Sequence, residues 1–389
     1  MKKIFLKKLC LVITIITTFN ATLSFDTVYG QTNKVVEGVK VELGLDDLIG
    51  DMNEYLEDSD MEDTINMSKL VTSVISGEKL EKEGLIQKII DVLSKEIIMS
   101  VKSGIAILIV IICMGVFNSL DIDKEGDISK IVYLVSFLII VSMLANIYLE
   151  VISNYAKIVN TLCSIIQTVT PFMMIVLVAS GGAITSSLIQ PLILFIASLV
   201  GFLVSYICIP FITISIVMKI VSALGDNIKL GRLGNLFSKS SVWICTVVFA
   251  LFLTYVTIKG TVSTSVDAVA IKTTQTAISN FVPVVGKFVS DSLESIMGAT
   301  EVIGKTAGVI GIVVMLLVTL IPVIKLVLVM VCHKILAALS ETITDNKKMI
   351  DIIDVFGDTY KTMLGILIGI VSLFILSTGV VIKLMGQIG

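Results

Sequence analysis

Apolar residues fill long uninterrupted stretches of this chain. Runs at 104–120, 131–149, 162–180, 188–208, 241–258, 307–331 and 363–382 each approach the ~20 residues that cross a bilayer as a helix. An eighth stretch, 211–224, follows Pro210 with no polar loop and reads as a short span, a re-entrant piece or an interfacial helix. The runs do not alternate apolar with polar, which argues against an outer-membrane barrel. The predicted fold class is all-α: a polytopic helical membrane protein with about seven to eight passages and an N-terminal extracytoplasmic helical segment.

The polar stretches divide the chain further. Lys2, Lys3, Lys7 and Lys8 precede an apolar core at 9–19, and Val28-Tyr29-Gly30 offers a cleavage site before Gln31, so residues 1–30 read as a signal peptide. Residues 31–103 hold 16 acids against 8 lysines and form an acidic extracytoplasmic segment. Within it Leu85, Ile86, Ile89, Ile90, Leu93, Ile97 and Ile98 recur at helical spacing. Lys88, Asp91, Lys95 and Lys102 fall between them. That helix lies on the membrane surface, packs on a partner or runs into the first span.

Membrane helices with short loops then occupy 104–258, and 307–389 holds further spans around a cytoplasmic loop at 333–362. Loops rich in Lys and Arg mark the inside. Lys229, Arg232 and Lys239 place 225–240 inside, as Lys334, Lys347, Lys348 and Lys361 place 333–362. Alternation from an exported start meets these marks only if 211–224 crosses. This gives eight passages, an extracytoplasmic C-terminus and a cytoplasmic turn at Gly181-Gly182. The acidic balance of 121–130 runs against the pattern.

Residues 259–306 fall outside in this scheme. The segment is rich in Ser, Thr, Ala and Val. Pro283-Val284-Val285-Gly286 interrupts a helical pattern, and Asp291 with Glu294 has capping-box spacing for a second helix. Such a helix–break–helix either dips into the membrane and covers an outer mouth, or is a plain surface hairpin.

Composition narrows the function. Hydrophobic residues make up 55%, charged residues 16%, and mean hydropathy is +1.00, whereas soluble domains carry about 25% charge. An ordinary soluble enzyme is excluded. A net charge of −3 gives no nucleic-acid signature. The six cysteines form no CxxC pair and read as small hydrophobes. Gly304-Lys305-Thr306 resembles the end of a P-loop, but Ala299 stands where the motif needs glycine and no strand precedes it, so nucleotide binding is rejected. His333, the only histidine, reads as an interfacial anchor. No catalytic residue, metal ligand or cofactor is assigned.

The candidate functional residues are structural in kind. Lys325 lies inside an apolar run three residues after Pro322; it either marks a functional intramembrane charge or snorkels to the interface. Gly304 with Gly308, and Gly365 with Gly369, have GxxxG spacing for close helix contact. Pro171, Pro191 and Pro210 sit within or beside spans as candidate kinks.

The order of these parts resembles the stage III sporulation protein AE family of endospore-forming bacteria. The likeness rests on the signal peptide, the acidic segment, Gly181-Gly182 leading to Gln190-Pro191, Phe281-Val282-Pro283-Val284-Val285-Gly286 with Ser290-Asp291 and Glu294, and Ile303-Gly304-Lys305-Thr306-Ala307-Gly308. The resemblance implies a multi-pass component of the channel complex between mother cell and forespore, in the mother-cell-derived outer forespore membrane. Its implied partners are other stage III proteins of the same operon, including ring-forming proteins and a secretion-type ATPase, together with membrane lipid; homo-oligomerisation stays open. The implied role is an export platform or conduit. The rival readings are an independent secondary transporter and a non-transporting scaffold.

Overall fold

The computed structural model describes residues 45–57, 83–120, 127–224, 229–281, 285–344 and 346–388. The signal-peptide reading at 1–30 and Pro283 lie outside them. Every described element is a helix: α1 Leu45–Glu57, α2 Glu83–Leu120, α3 Asp127–Ala179, α4 Ala183–Leu203, α5 Ile209–Leu224, α6 Gly231–Phe281, α7 Val285–Ile343 and α8 Lys347–Ile388, with a π turn Val204–Cys208 joining α4 to α5. Among the described residues, six helical stretches are long and apolar enough to cross a membrane. The expectation of an all-α, multi-pass membrane protein therefore holds.

The helices are longer than the sequence pattern implies. The runs 131–149 and 162–180 belong to one continuous α3 of 53 residues, about 80 Å long at 1.5 Å per residue. Residues 150–161 are polar but hold no glycine or proline, and polarity alone does not end a helix. The runs 188–208 and 211–224 likewise join through the π turn. Pro210 has no N–H to give the Tyr206 carbonyl and its ring crowds that oxygen. The chain widens one turn just before it, and the Ile209 amide donates to the Val204 carbonyl. Among the described residues the helical stretches long and apolar enough to cross therefore number six, and 211–224 is continuous with α4 rather than separate from it.

Three features set the ends of the bundle. Gly181, at φ 93°, closes α3 in a Schellman turn: the Gly182 amide donates to the Leu177 carbonyl at 2.8 Å and the Gly181 amide to Val178 at 2.9 Å. A Cβ at Gly181 would collide with Ile271 of α6. This turn, the Ile271 region and the end of α8 thus share one end of the bundle, while the C-terminal ends of α2 and α7 meet at the other, where Gly115 approaches Ile343. Within 259–306, α6 runs unbroken to Phe281 and α7 begins at Val285, each continuous with an apolar helix. Asp291 and Glu294 therefore lie inside α7 rather than capping it, because the helix starts directly after the Pro283 region.

α7 is the central helix and packs against α3, α8, α2, α6 and α1. Glycines make its closest contacts. A Cβ at Gly304 would sit 2.7 Å from Val176 and Met385, at Gly308 2.8 Å from Met173 and Ile382, and at Gly311 2.9 Å from Val169. Gly369 approaches Phe249, but Gly365 meets nothing within 4 Å, so the two GxxxG pairs are unequal. We expect Gly308→Val to destabilise the bundle by about 1–3 kcal/mol and Gly365→Ala to be neutral or mildly stabilising. Thermal unfolding of the detergent-purified protein reads both; equal effects would refute the assignment.

Candidate functional site

Halfway along the bundle, α2, α3 and α7 approach without closing on one another. The Cys332 thiol donates to the Ser100 carbonyl oxygen at 3.2 Å, which pins α2 to α7. Beside this contact lies a cleft of about 410 Å³. Its wall carries Lys95, Ser100 and Ser103 from α2, Glu150, Asn154 and Lys157 from α3, and Lys325 and His333 from α7. Ile107, Ile158, Ile321, Leu326 and Val329 supply much of the rest. Spacing explains the convergence. Glu150, Asn154 and Lys157 stand at i, i+4 and i+7, one face of α3, as do Lys325, Val329 and Cys332 on α7. Among the described residues three lysines and one carboxylate line the cleft, so these side chains are basic on balance.

His333 forms one edge of the site and is 5% exposed. Its Nδ1 lies 2.8 Å from the Val329 carbonyl oxygen, a geometry in which Nδ1–H donates. The ring stands edge-on to Tyr360, centroids 5.0 Å apart. Among the described residues His333 Nε2 and the buried Tyr155 and Tyr360 hydroxyls meet no hydrogen-bond partner. Each such group costs about 1–3 kcal/mol, so the bundle keeps a polar seam here against the hydrophobic trend. The seam continues through the Tyr148 hydroxyl, 2.7 Å from Thr213 Oγ1, which donates to the Ile209 carbonyl at 2.9 Å. Cys208 and Cys245 lie with their sulfurs 3.3 Å apart. His333 is thus a core residue of the seam, not the surface anchor its position implied. On the α8 side Lys334 bridges Asp354 at 2.6 Å and Asp358 at 2.8 Å.

A second polar arrangement fixes the bundle end. Asp267 of α6 is 3% exposed. Its carboxylate accepts from the Ile184 amide at 3.1 Å, the Thr185 amide at 2.8 Å and the Thr185 hydroxyl at 2.7 Å. Gly182, the residue before α4, has no side chain for capping. Asp267 supplies the cap from another helix, satisfying orphan amides and facing the positive end of the α4 dipole. The contact also places Gly181-Gly182 beside α6, at one bundle end, so the turn and residue 267 cannot lie on opposite sides as the eight-passage scheme required. The scheme fails because it counts both α3 and the joined α4–α5 stretch twice.

Of the other sequence candidates, Lys325 joins the cleft and Gly304 and Gly308 lie in the α7 packing seam. Lys305 pairs with Glu301 one turn away on the same helix. Gly286 occupies the first turn of α7, and Asp291 and Glu294 follow in its next turns. The sequence reading did not single out Lys157, Glu150 or Asp267. Among the described residues no group of three metal-ligating side chains comes together.

An all-helical, multi-pass membrane protein with a basic cleft halfway along its bundle is the class these features define. The chain belongs to the stage III sporulation protein AE family, which matches residues 65–385. A relative, Stage III sporulation protein AE of Bacillus subtilis (strain 168), is 26% identical over 234 residues, covering 60% of this chain and 58% of the relative. No solved structure matches the chain.

Asp267→Ala leaves two amides and a hydroxyl at the start of α4 without their acceptor. We expect a loss of about 2–3 kcal/mol, and roughly half of that for Asp267→Asn, which retains one acceptor oxygen. Thermal unfolding in detergent measures both, and full stability of Asp267→Ala would refute the cap.

Proposed function

We propose that this protein is a multi-pass membrane component of the channel complex that joins mother cell and forespore, acting as an export platform or conduit in the outer forespore membrane. Family membership across residues 65–385 carries the reading. The proportions of the bundle support it. α3 and α7, of 53 and 59 residues, are about 80–90 Å long against a hydrocarbon layer of about 30 Å. Much of each helix therefore extends past the lipid and offers surface to ring-forming proteins and to a secretion-type ATPase that would supply energy from another chain. In this reading Gly181-Gly182, the α6–α7 connection and the C-terminus face the intermembrane space, and 121–126, 225–230 and 344–346 face the mother-cell cytoplasm.

Two experiments test the proposal. Tagged protein purified from sporulating cells should bring down the ring-forming proteins, and a null strain should stop after engulfment begins; recovery without partners, or normal spore counts in the null strain, would defeat it. Reporter fusions at residues 182 and 275 should both read extracytoplasmic and fusions at 235 and 348 cytoplasmic. Opposite readings at 182 and 275 would overturn the six-helix arrangement.

A further inference from the structure

The cleft between α2, α3 and α7 has a fixed relation to the bilayer. On one side of it α3 continues as an apolar helix through 162–179, about 27 Å. On the other it is apolar through 131–149, about 28 Å. Each stretch approaches one hydrocarbon thickness, and together they are nearly twice it. A slab centred on the cleft would bury Glu150, Lys157, Lys325 and the Lys334–Asp354–Asp358 cluster in hydrocarbon, at a cost of several kcal/mol per charge. Either remaining placement sets the level of Lys95, Lys157 and Lys325 at a membrane surface, where lipid headgroups lie.

The lining matches what lies at that level. Among the described lining residues three lysines outweigh the carboxylate of Glu150, and the walls beyond them are aliphatic. Lys95 and Lys157 are exposed and Lys325 is half-buried, so the ammonium groups come from three different helices around one opening. We infer that this cleft is a binding site for an acidic phospholipid, its phosphate held among Lys95, Lys157 and Lys325 and its acyl chain laid along the aliphatic wall formed by Ile107, Ile158 and Ile321. Basic pockets between membrane helices at the headgroup level recognise lipids in this way. The occupant ties α2 to the α3–α7 pair beside the Cys332–Ser100 contact. The site makes a lipid a component of the bundle, independent of which proteins join the complex.

The test uses the full-length protein in a neutral detergent. Adding dioleoylphosphatidylglycerol should raise the thermal midpoint, and native mass spectrometry should show the lipid retained, whereas dioleoylphosphatidylcholine and inorganic phosphate should do neither. Lys157→Gln should weaken retention about fivefold, and the triple variant Lys95→Gln, Lys157→Gln, Lys325→Gln by about 100-fold, from the contribution of each cation near a lipid surface. The double variant Lys229→Gln, Lys239→Gln, with charges outside the cleft, should bind as the parent does. A photoactivatable phosphatidylglycerol on unaltered protein gives a reading independent of variant folding: its label should fall on peptides containing Met99, Ile158 and Val329. Equal retention by the triple variant, an equal effect of phosphatidylcholine, or labelling away from the cleft would overturn the assignment. A midpoint shift from inorganic phosphate as large as from the lipid would assign the cleft to a water-borne anion and overturn it as well.

Discussion

A backbone amide with no partner is costly wherever water is scarce, and the Asp267 carboxylate meets that constraint at the sharpest turn of this fold. α3 must end, and only the glycine pair at 181–182 permits the reversal. The same glycines deprive α4 of a capping side chain. A carboxylate more than 80 residues downstream fills the vacancy. Once it does, α6 is committed to lie beside the α3–α4 hairpin, and the direction of α7 follows from the reversal after Phe281. The glycine stripe on α7 can then meet Val169, Met173 and Val176 of α3 in register. Packing in this bundle is close because the ends have been fixed by polar contacts.

The long apolar runs were legible because hydrocarbon length and helical rise set their size. The tight approach at Gly304 and Gly308 was legible for a similar reason: absent side chains at one-turn spacing leave room for a neighbouring helix. The continuity of α3 was not. Glu150 to Thr161 looks like a loop by polarity, yet nothing there breaks a helix, and the polar residues mark a level of the bundle rather than an ending. Asp267 left no trace either. Its partners are backbone amides, which carry no residue signature, and it stands in a segment of ordinary serines, threonines and valines.

The cleft shows the same limit from another direction. Lys325 drew notice because it interrupts an apolar run. Lys95 and Lys157 did not, since each sits among other polar residues. The usable sign was the i, i+4, i+7 spacing of Glu150, Asn154 and Lys157, which is a polar stripe on a helix and makes no sense in a loop. His333 looked like an interfacial residue by its place beside Lys334, and only the packing of Tyr360 against its ring reveals it as part of a buried seam. In each case the missing information was which face of one helix meets which face of another.

α7 and α8 lie against each other as two antiparallel rods joined by the short 344–346 connection. Along them the Lys334 ammonium grips α8 near the joined end, and Gly304 and Gly308 let it seat closely near the far end. A pair of long helices fastened at both ends bends little. A push or pull delivered at the connecting turn therefore arrives at the opposite end of the molecule as a displacement of similar size, without any helix having to unwind. The stiffness of the pair is set by side chains on a few turns at either end.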